Sequence, residues 1–313
     1  MRILVTGGAG FIGSHLVEHY AARGIRVRVL DNLSTGLREN LPAAADLVEG
    51  DVRDPNDCMI ACDEAEVVFH LAALGSVPRS VADPATTFAC NAVGTLNMLL
   101  AARDAGVDRF VYAASSSAYG GADGPLRENL VPNPRSPYAA SKLAGEHLCA
   151  AYWASYGLRT ISLRYFNVFG PRQRPDGPYA AVIPKWADAM LRGQRPMVHG
   201  DGSQTRDFTF VENVVFACAL AAEKDLPADA FGKVYNVGCG ASTTLLDLAE
   251  AIASALGTRA DPEFDEPRDG DVAQSLAFID EARRVLGYAP VVGLEEGLRK
   301  YAEWLKGRWI CRT

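Results

Sequence analysis

Tyr138 and Lys142 stand four residues apart in the stretch YAASK, and three serines, Ser115, Ser116 and Ser117, close the apolar run RFVYAA. On a helix, a spacing of four puts phenol and ammonium on one face, where the cation favours the ionised phenol. A free tyrosine titrates near ~10, too high for a base at neutral pH without such help. Ser115 ends a strand, and an open α/β sheet places its site at the carboxyl ends of its strands. The Tyr-Lys spacing alone is a frequent accident on surface helices, so a second signal must accompany it.

That signal is TGGAGFIGSHL, in which Gly7, Gly10 and Gly13 are spaced GxxGxxG between a first strand and a helix starting near Phe11. Gly7 and Gly10 let the backbone turn and approach a pyrophosphate, Gly13 permits close helix packing, and the helix N-terminus faces the negative charge. Asp31, 21 residues after Gly10, ends the second apolar run. Its carboxylate can accept from both ribose hydroxyls of NAD and would repel the extra phosphate of NADP, so the expected cofactor is NAD. Asp31 can also serve as a turn residue in DNLSTG.

The elements that position these residues are read from periodicity. Short β-branched runs at 3–6, 27–30, 46–49, 67–71, 110–113 and 160–163 predict buried strands, and Ala- and Leu-rich segments at 85–105 and 136–156 predict crossover helices. The first half is therefore expected to be α/β, a parallel sheet with helices on both faces. After Asn167 the chain becomes rich in Gly, Pro and Arg, where a less regular region begins. Further helices are expected at 211–223, 245–256, 279–286 and 294–305, with a strand at 234–237 that returns the chain to the first sheet.

Composition narrows the function. At 313 residues the chain suits two domains or one large, elaborated one, and 49% hydrophobic with 22% charged residues is ordinary for a globular protein. The net charge of −7 and the lack of a basic run argue against nucleic acid. The longest uncharged apolar stretch recognised, about 67–77, is interrupted by His70 and falls short of the ~18 residues of a membrane span. Reading MRILV as part of a secretory signal would sacrifice the glycine cluster. Cys58, Cys62, Cys90, Cys149, Cys218, Cys239 and Cys311 form no CxxC pair, which fits reduced thiols and a cytoplasmic location. Cys58 and Cys62 can share a helical face, but no second ligand pair lies near, so no metal is expected. His15, His19, His70, His147 and His199 lack local pairing and are given no chemical role.

The pieces TGGAGFIG, DNLSTG, GDVRD, HLAA, SSSAYG, YAASK, LRYFNVFGPRQ, GDGSQTRDFTFV and PRDGDVAQS run from residue 6 to 275. With them the chain resembles the extended short-chain dehydrogenases/reductases of the nucleotide-sugar epimerase and dehydratase group. The resemblance implies a Rossmann-type doubly wound sheet with a smaller α/β substrate-binding C-terminal domain. The cofactor domain would be 1–166, rejoined by about 208–238, and 167–207 with 239–313 would bind the nucleotide sugar. It places NAD against Gly7, Gly10, Phe11, Ile12, Gly13, Asp31, Asn32, Ser34, Gly36, Asp51, Val52, Leu71, Ala72, Ala73, Tyr138, Lys142, Tyr165 and Val168. Ser115, Ser116, Asn167, Gln173, Arg206, Arg268 and Ser275 would meet a UDP-sugar. Asp207, Asp269 and Asp271 leave room for a plainer reading of the two arginines as surface ion pairs.

By the same resemblance Tyr138 takes the proton of the sugar hydroxyl, Ser115 steadies that hydroxyl, and Lys142 holds the nicotinamide ribose. Dehydratases of the group carry an Asp-Glu pair beside the catalytic Ser or Thr, and uronate decarboxylases usually a Glu. Ser116 and Ser117 stand there instead, favouring oxidation followed by reduction, which is C4 epimerisation. Ser275, four residues after Asp271, is a small residue where a Tyr would restrict the space near C2. The stretches from Leu74 and Pro178 also resemble UDP-N-acetylglucosamine 4-epimerases. UDP-GlcNAc/UDP-GalNAc is therefore the expected pair, with UDP-glucose/UDP-galactose the alternative. A dehydratase or decarboxylase, or a non-catalytic NAD or nucleotide-sugar sensor, ranks lower. Family members commonly dimerise through two helices per subunit, here those around 85–105 and 136–156.

Overall fold

A computed structural model of the chain describes residues 1–122, 124–175, 180–267 and 272–310. Five strands open it: β1 (Arg2–Thr6), β2 (Arg26–Asp31), β3 (Asp46–Glu49), β4 (Val67–His70) and β5 (Arg109–Ser115). With Arg159–Tyr165 and Lys233–Val237 they make one parallel sheet of seven strands. From one edge the order is Lys233–Val237, Arg159–Tyr165, β5, β4, β1, β2, β3. The order reverses direction between β1 and β4, the crevice where doubly wound sheets bind their ligands.

The strands read as apolar runs because both faces are covered. Leu16, Val17 and Tyr20 of the helix Phe11–Ala21 and Val214, Ala217 and Cys218 of the helix Val211–Glu223 share a core with alternate strand residues on one face. On the other face, Cys58 and Cys62 of Pro55–Cys62, Met98 and Leu99 of Gly94–Asp104, and Cys149 and Tyr152 of Pro137–Tyr156 pack against Leu4, Val68 and Phe110.

Pro84–Asp104 is a continuous 21-residue helical run, with a π turn at Ala89–Val93. It is long and apolar enough by composition to cross a membrane, a longer apolar element than the stretch 67–77 on which the sequence reading relied. In its most apolar window 56% is buried inside the protein, where Met98 and Leu99 join the core, while Phe88, Val93 and Leu100 are exposed.

Local signals set the ends of the site's helix. Ser136 caps Pro137–Tyr156 by accepting from the N–H of Ala139 at 3.1 Å, proline occupies the first turn, and Gly157 ends the helix at φ +71°.

A separate core gathers Ile183, Trp186, Leu248, Ile252, Leu298 and Tyr301 from the C-terminal region. Beside it, short strands in the order Thr243–Thr244, Thr205–Arg206, Gln274–Ala277 and Pro125–Leu126 form a four-stranded sheet that registers Arg206 against Ser275. The helix Val182–Leu191 had no counterpart in the sequence reading. The segment expected as a helix at 279–286 contains a π turn, Ala282–Leu286, and the last helix runs beyond 305 as Leu294–Ile310.

Candidate active site

The turn after β1 is built for close approach. Gly7 takes φ +68°, and a Cβ on it would lie 2.8 Å from the backbone of Ala72, while one on Gly13 would collide with the carbonyl oxygen of Gly7. The helix Phe11–Ala21 begins at Gly10 with no side-chain cap, so its first N–H groups keep no side-chain partner. They open into a cavity of about 500 Å³ lined by Gly7, Gly10, Phe11, Ile12 and Gly13, an arrangement that suits a pyrophosphate.

Asp31 lies in the wall of the same cavity and is 8% exposed. Its carboxylate accepts from the N–H of Ala9 at 2.9 Å and from that of Leu33 at 2.8 Å, one bond to each oxygen. Each oxygen keeps a lone pair for a ribose hydroxyl. Asn32 donates to Asp51 at 2.8 Å, and Arg53 pairs with Asp51 at 2.6 Å. Arg53 foremost holds the Asp51 carboxyl well below the usual range. Ser34, Val52, Leu71, Ala72 and Ala73 line the cavity as expected. Gly36 stands behind the wall, where a Cβ would come within 3.0 Å of Asp31, and Val168 lines the neighbouring cavity. Sequence reasoning missed Thr35, Arg53, Leu74 and Cys90. Arg53 lies within GDVRD beside Asp51, Thr35 within DNLSTG, and Leu74 opens LGSVPRS, so only Cys90 had no motif to mark it.

The second cavity, of about 670 Å³, adjoins the first, and Phe11, Ile12, Gly75, Ala114, Tyr138 and Tyr165 line both. Ser115, Ser116, Asn167, Gln173, Arg206 and Ser275 all line it, while Arg268 and Asp271 lie outside the described residues. Asn167, at φ +31°, donates to the carbonyl of Asp207 at 2.9 Å. Arg206 donates to the carbonyl of Val272 at 2.6 Å. Asp207, weighed above as an ion-pair partner, is buried and accepts from the backbone N–H of Cys239, Gly240 and Ala277 at 2.8, 2.8 and 3.2 Å. Burial pushes its carboxyl up to about 6 against those bonds. Gln173 donates to Val168 at 3.1 Å, and its buried Oε1 has no partner among the described residues. Tyr119, Arg135 and Val272 also line it and were given no role from the sequence, although Tyr119 lies within SSSAYG and Val272 within PRDGDVAQS.

At the junction of the cavities Ser115 accepts from the N–H and the hydroxyl of Ser117 at 3.2 and 2.9 Å, and Ser115 and Tyr138 line the same wall. Burial pushes the Tyr138 phenol up, and Ser115 works in the opposite direction. The expected effect of Lys142 on the phenol is not what the side chains adopt. The ammonium of Lys142 donates to the carbonyl of Ala113 at 2.9 Å and lies 5.1 Å from the ring of Tyr112. Burial brings Lys142 down to about 8, with Cys90 and Glu146 opposing. His70 is held between the hydroxyls of Thr6 and Thr95 at 2.7 and 3.0 Å, and burial foremost lowers it to about 3.

A glycine-lined phosphate cradle, a carboxylate placed for ribose and a Ser-Tyr-Lys group at the strand ends define a nicotinamide-dependent enzyme of the doubly wound class. The profile of the NAD dependent epimerase/dehydratase family matches residues 3–238, and the chain belongs to that family. It is 42% identical to a UDP-glucose 4-epimerase of Mycolicibacterium smegmatis, over 98% of this chain and 99% of that protein. The UDP-N-acetylglucosamine 4-epimerase from Methanobrevibacter ruminantium, solved with UDP-N-acetylmuramic acid, superposes with a TM-score of 0.92 at 38% identity over 98% of both chains. The Thermus thermophilus UDP-glucose 4-epimerase, solved with NAD, does so at 0.89 and 40% identity, over 98% of this chain and 99% of that one. NAD is the cofactor of this chain's family, and the first cavity fits it.

Proposed function

We propose that the protein interconverts the C4 epimers of a UDP-hexose through a 4-keto sugar, with UDP-GlcNAc/UDP-GalNAc the preferred pair. When bound, NAD supplies the acceptor and donor of hydride, so there is no net redox. Tyr138 takes the proton of the C4 hydroxyl and later returns it, Ser115 orients that hydroxyl, and Lys142 holds the nicotinamide ribose. Asn167, Arg206 and Arg268 hold the diphosphate and nearby groups, where two guanidiniums suit a dianion, and Gln173 contacts the substrate beside them. Ser116 and Ser117 supply no carboxylate for elimination of water, and Ser117 is engaged with Ser115, which supports epimerisation over dehydration or decarboxylation. Ser115 and Tyr138 in one cavity wall, with Lys142 one turn along, support an enzyme over a sensor.

The observation that carries the sugar preference is Ser275, a small side chain in the wall of a cavity of about 670 Å³ that also holds Tyr138 and Ser115. Space there admits an acetamido group without excluding an unsubstituted sugar, and the names of the epimerase relatives keep UDP-glucose as the second reading. The cofactor part would comprise 1–166 and about 208–238, and the sugar part 167–207 and 239–313. Exposed Phe88, Val93 and Leu100, with Tyr156 on Pro137–Tyr156, support a homodimer built on those helices. The free thiols among the described cysteines suit a reducing cytoplasm.

The test is to incubate the purified protein with UDP-GlcNAc and, separately, UDP-glucose, following the anomeric proton signals by NMR with and without added NAD. Faster equilibration of the acetamido sugar supports the proposal. Conversion of UDP-glucose alone makes the enzyme the narrower epimerase, and conversion of neither with NAD present overturns the reading.

A further inference from the structure

Beneath the Ser-Tyr-Lys group lies a buried ion pair to which no role has yet been given. Arg164 donates from Nε and an Nη to the two carboxylate oxygens of Glu146 at 2.9 and 2.6 Å, and each side chain is 3% exposed. Glu146 follows Lys142 by one turn of the Pro137–Tyr156 helix. Arg164 belongs to the strand Arg159–Tyr165, registered against Ala114 of β5. Its guanidinium also lies 4.5 Å from the ring centre of Tyr119. Tyr119 ends the turn Ser116–Tyr119 that Ser115 caps, and its hydroxyl donates to Asn236 at 2.7 Å. Asn236 in turn donates to the carbonyls of Leu126 and Phe278 at 2.8 and 3.1 Å.

The two halves of the reacting group therefore sit on different elements. Ser115 belongs to β5 and its turn, whereas Tyr138 and Lys142 belong to the helix. Lys142 reaches β5 directly through the Ala113 carbonyl, and the ion pair ties the helix to the neighbouring strand Arg159–Tyr165 and, through Arg164 over Tyr119, to the turn. A buried ion pair is no better for stability than apolar side chains of similar volume, because desolvation cancels the attraction. A bidentate pair does fix distance and angle, which apolar contacts fix loosely.

We infer that Glu146 and Arg164 are positioning residues: the pair sets the spacing between the Tyr138–Lys142 helix and the Ser115 turn, and it fixes the Glu146 carboxylate one helical turn from Lys142. The inference rests on the epimerase reading for its rate consequence only. Lys142 touches the Ala113 carbonyl and the Tyr112 ring of β5, and the charges of Cys90 of the π turn, His70 of β4, and Glu146 and Cys149 of its own helix bear on it. Glu146 is the sole carboxylate among them. Burial opposes the charge on Lys142, and Glu146 works against burial.

Two variants test this. Glu146→Gln keeps shape and removes charge. The double change Glu146→Leu with Arg164→Met keeps volume and removes the pair, so it should still fold. Folding is checked by circular dichroism and NAD retention by absorbance. Both variants should stay folded with NAD and lose about tenfold or more in kcat, with KM for the sugar within about twofold. The titration of Lys142, followed by NMR of isotope-labelled lysine and assigned with Lys142→Arg, should move to lower pH in Glu146→Gln. A folded double variant with the wild-type kcat, or an unmoved Lys142 titration in Glu146→Gln, overturns the inference. If the wild type turns over no UDP-hexose, the epimerase reading fails by itself, and the Lys142 titration still decides the role of Glu146.

Discussion

The Nζ of Lys142 donates to the carbonyl of Ala113 at 2.9 Å, which anchors the ammonium to β5 two residues before Ser115. Lysine and serine are thereby referred to one strand, and Tyr138 stands between them on the helix. Ser115 and Tyr138 line the same cavity, so both can reach one sugar hydroxyl.

Tyr138→Phe removes the proton acceptor and leaves the glycine cradle and Asp31 untouched. Turnover should fall by at least about a hundredfold, the usual scale for losing a general base, while bound NAD remains. Kinetics and cofactor absorbance on the same sample check this, and substantial residual activity would remove Tyr138 from the role.

Ser275→Tyr places a phenol in the second cavity. Turnover of UDP-GlcNAc should drop more than that of UDP-glucose, because the lost volume is that of the acetamido group. Parallel kinetics on the two sugars decide it, and equal losses would refute the gate.

Asp31→Asn keeps an acceptor and removes the charge that repels a ribose phosphate. The preference for NAD over NADP should shrink by about tenfold or more, read as the ratio of Kd values from calorimetry. An unchanged ratio would mean that discrimination lies elsewhere in the cavity.

His70 is neutral in the folded protein, since burial lowers it from 6.5 to about 3. The unfolded chain binds a proton below about 6.5 and the folded one does not. Its contribution to stability is therefore present above 6.5 and is lost as the pH falls towards and through about 3. Asp207, raised to about 6, acts in the opposite sense, since its protonation on acidification favours the fold. Denaturant titrations between pH 7 and about 5 should show a shallower acid decline for His70→Gln than for the wild type. Parallel declines would exclude His70 as a source of acid sensitivity.

What could be read in advance was local. The cradle, Asp31 and the Tyr-Lys pair are close in sequence to the elements that fix them, and the helices 211–223 and 245–256 matched Val211–Glu223 and Leu245–Leu256 because apolar residues recur at helical spacing in both, the second also being capped by Thr244 and ended by Gly257. The second cavity was legible by resemblance only. Its strands Thr205–Arg206 and Pro125–Leu126 are two residues long, too short to carry a period, and Tyr119 reaches the wall from the turn Ser116–Tyr119 and Arg135 from an irregular segment. The Glu146–Arg164 contact joins residues 18 apart on different elements and is invisible to any pattern within one of them. The direction of Lys142 followed from the strand beneath the helix rather than from its spacing to Tyr138.

All seven strands of the main sheet run the same way, so each passes from a buried body to a loop at the same rim. Substitutions in the body must preserve packing, whereas those at the rim change what is bound. Selection can therefore vary the ligand and the outcome of the reaction while the scaffold drifts only within the limits of volume. A family whose name joins epimerases with dehydratases is the divergence such a division of labour allows.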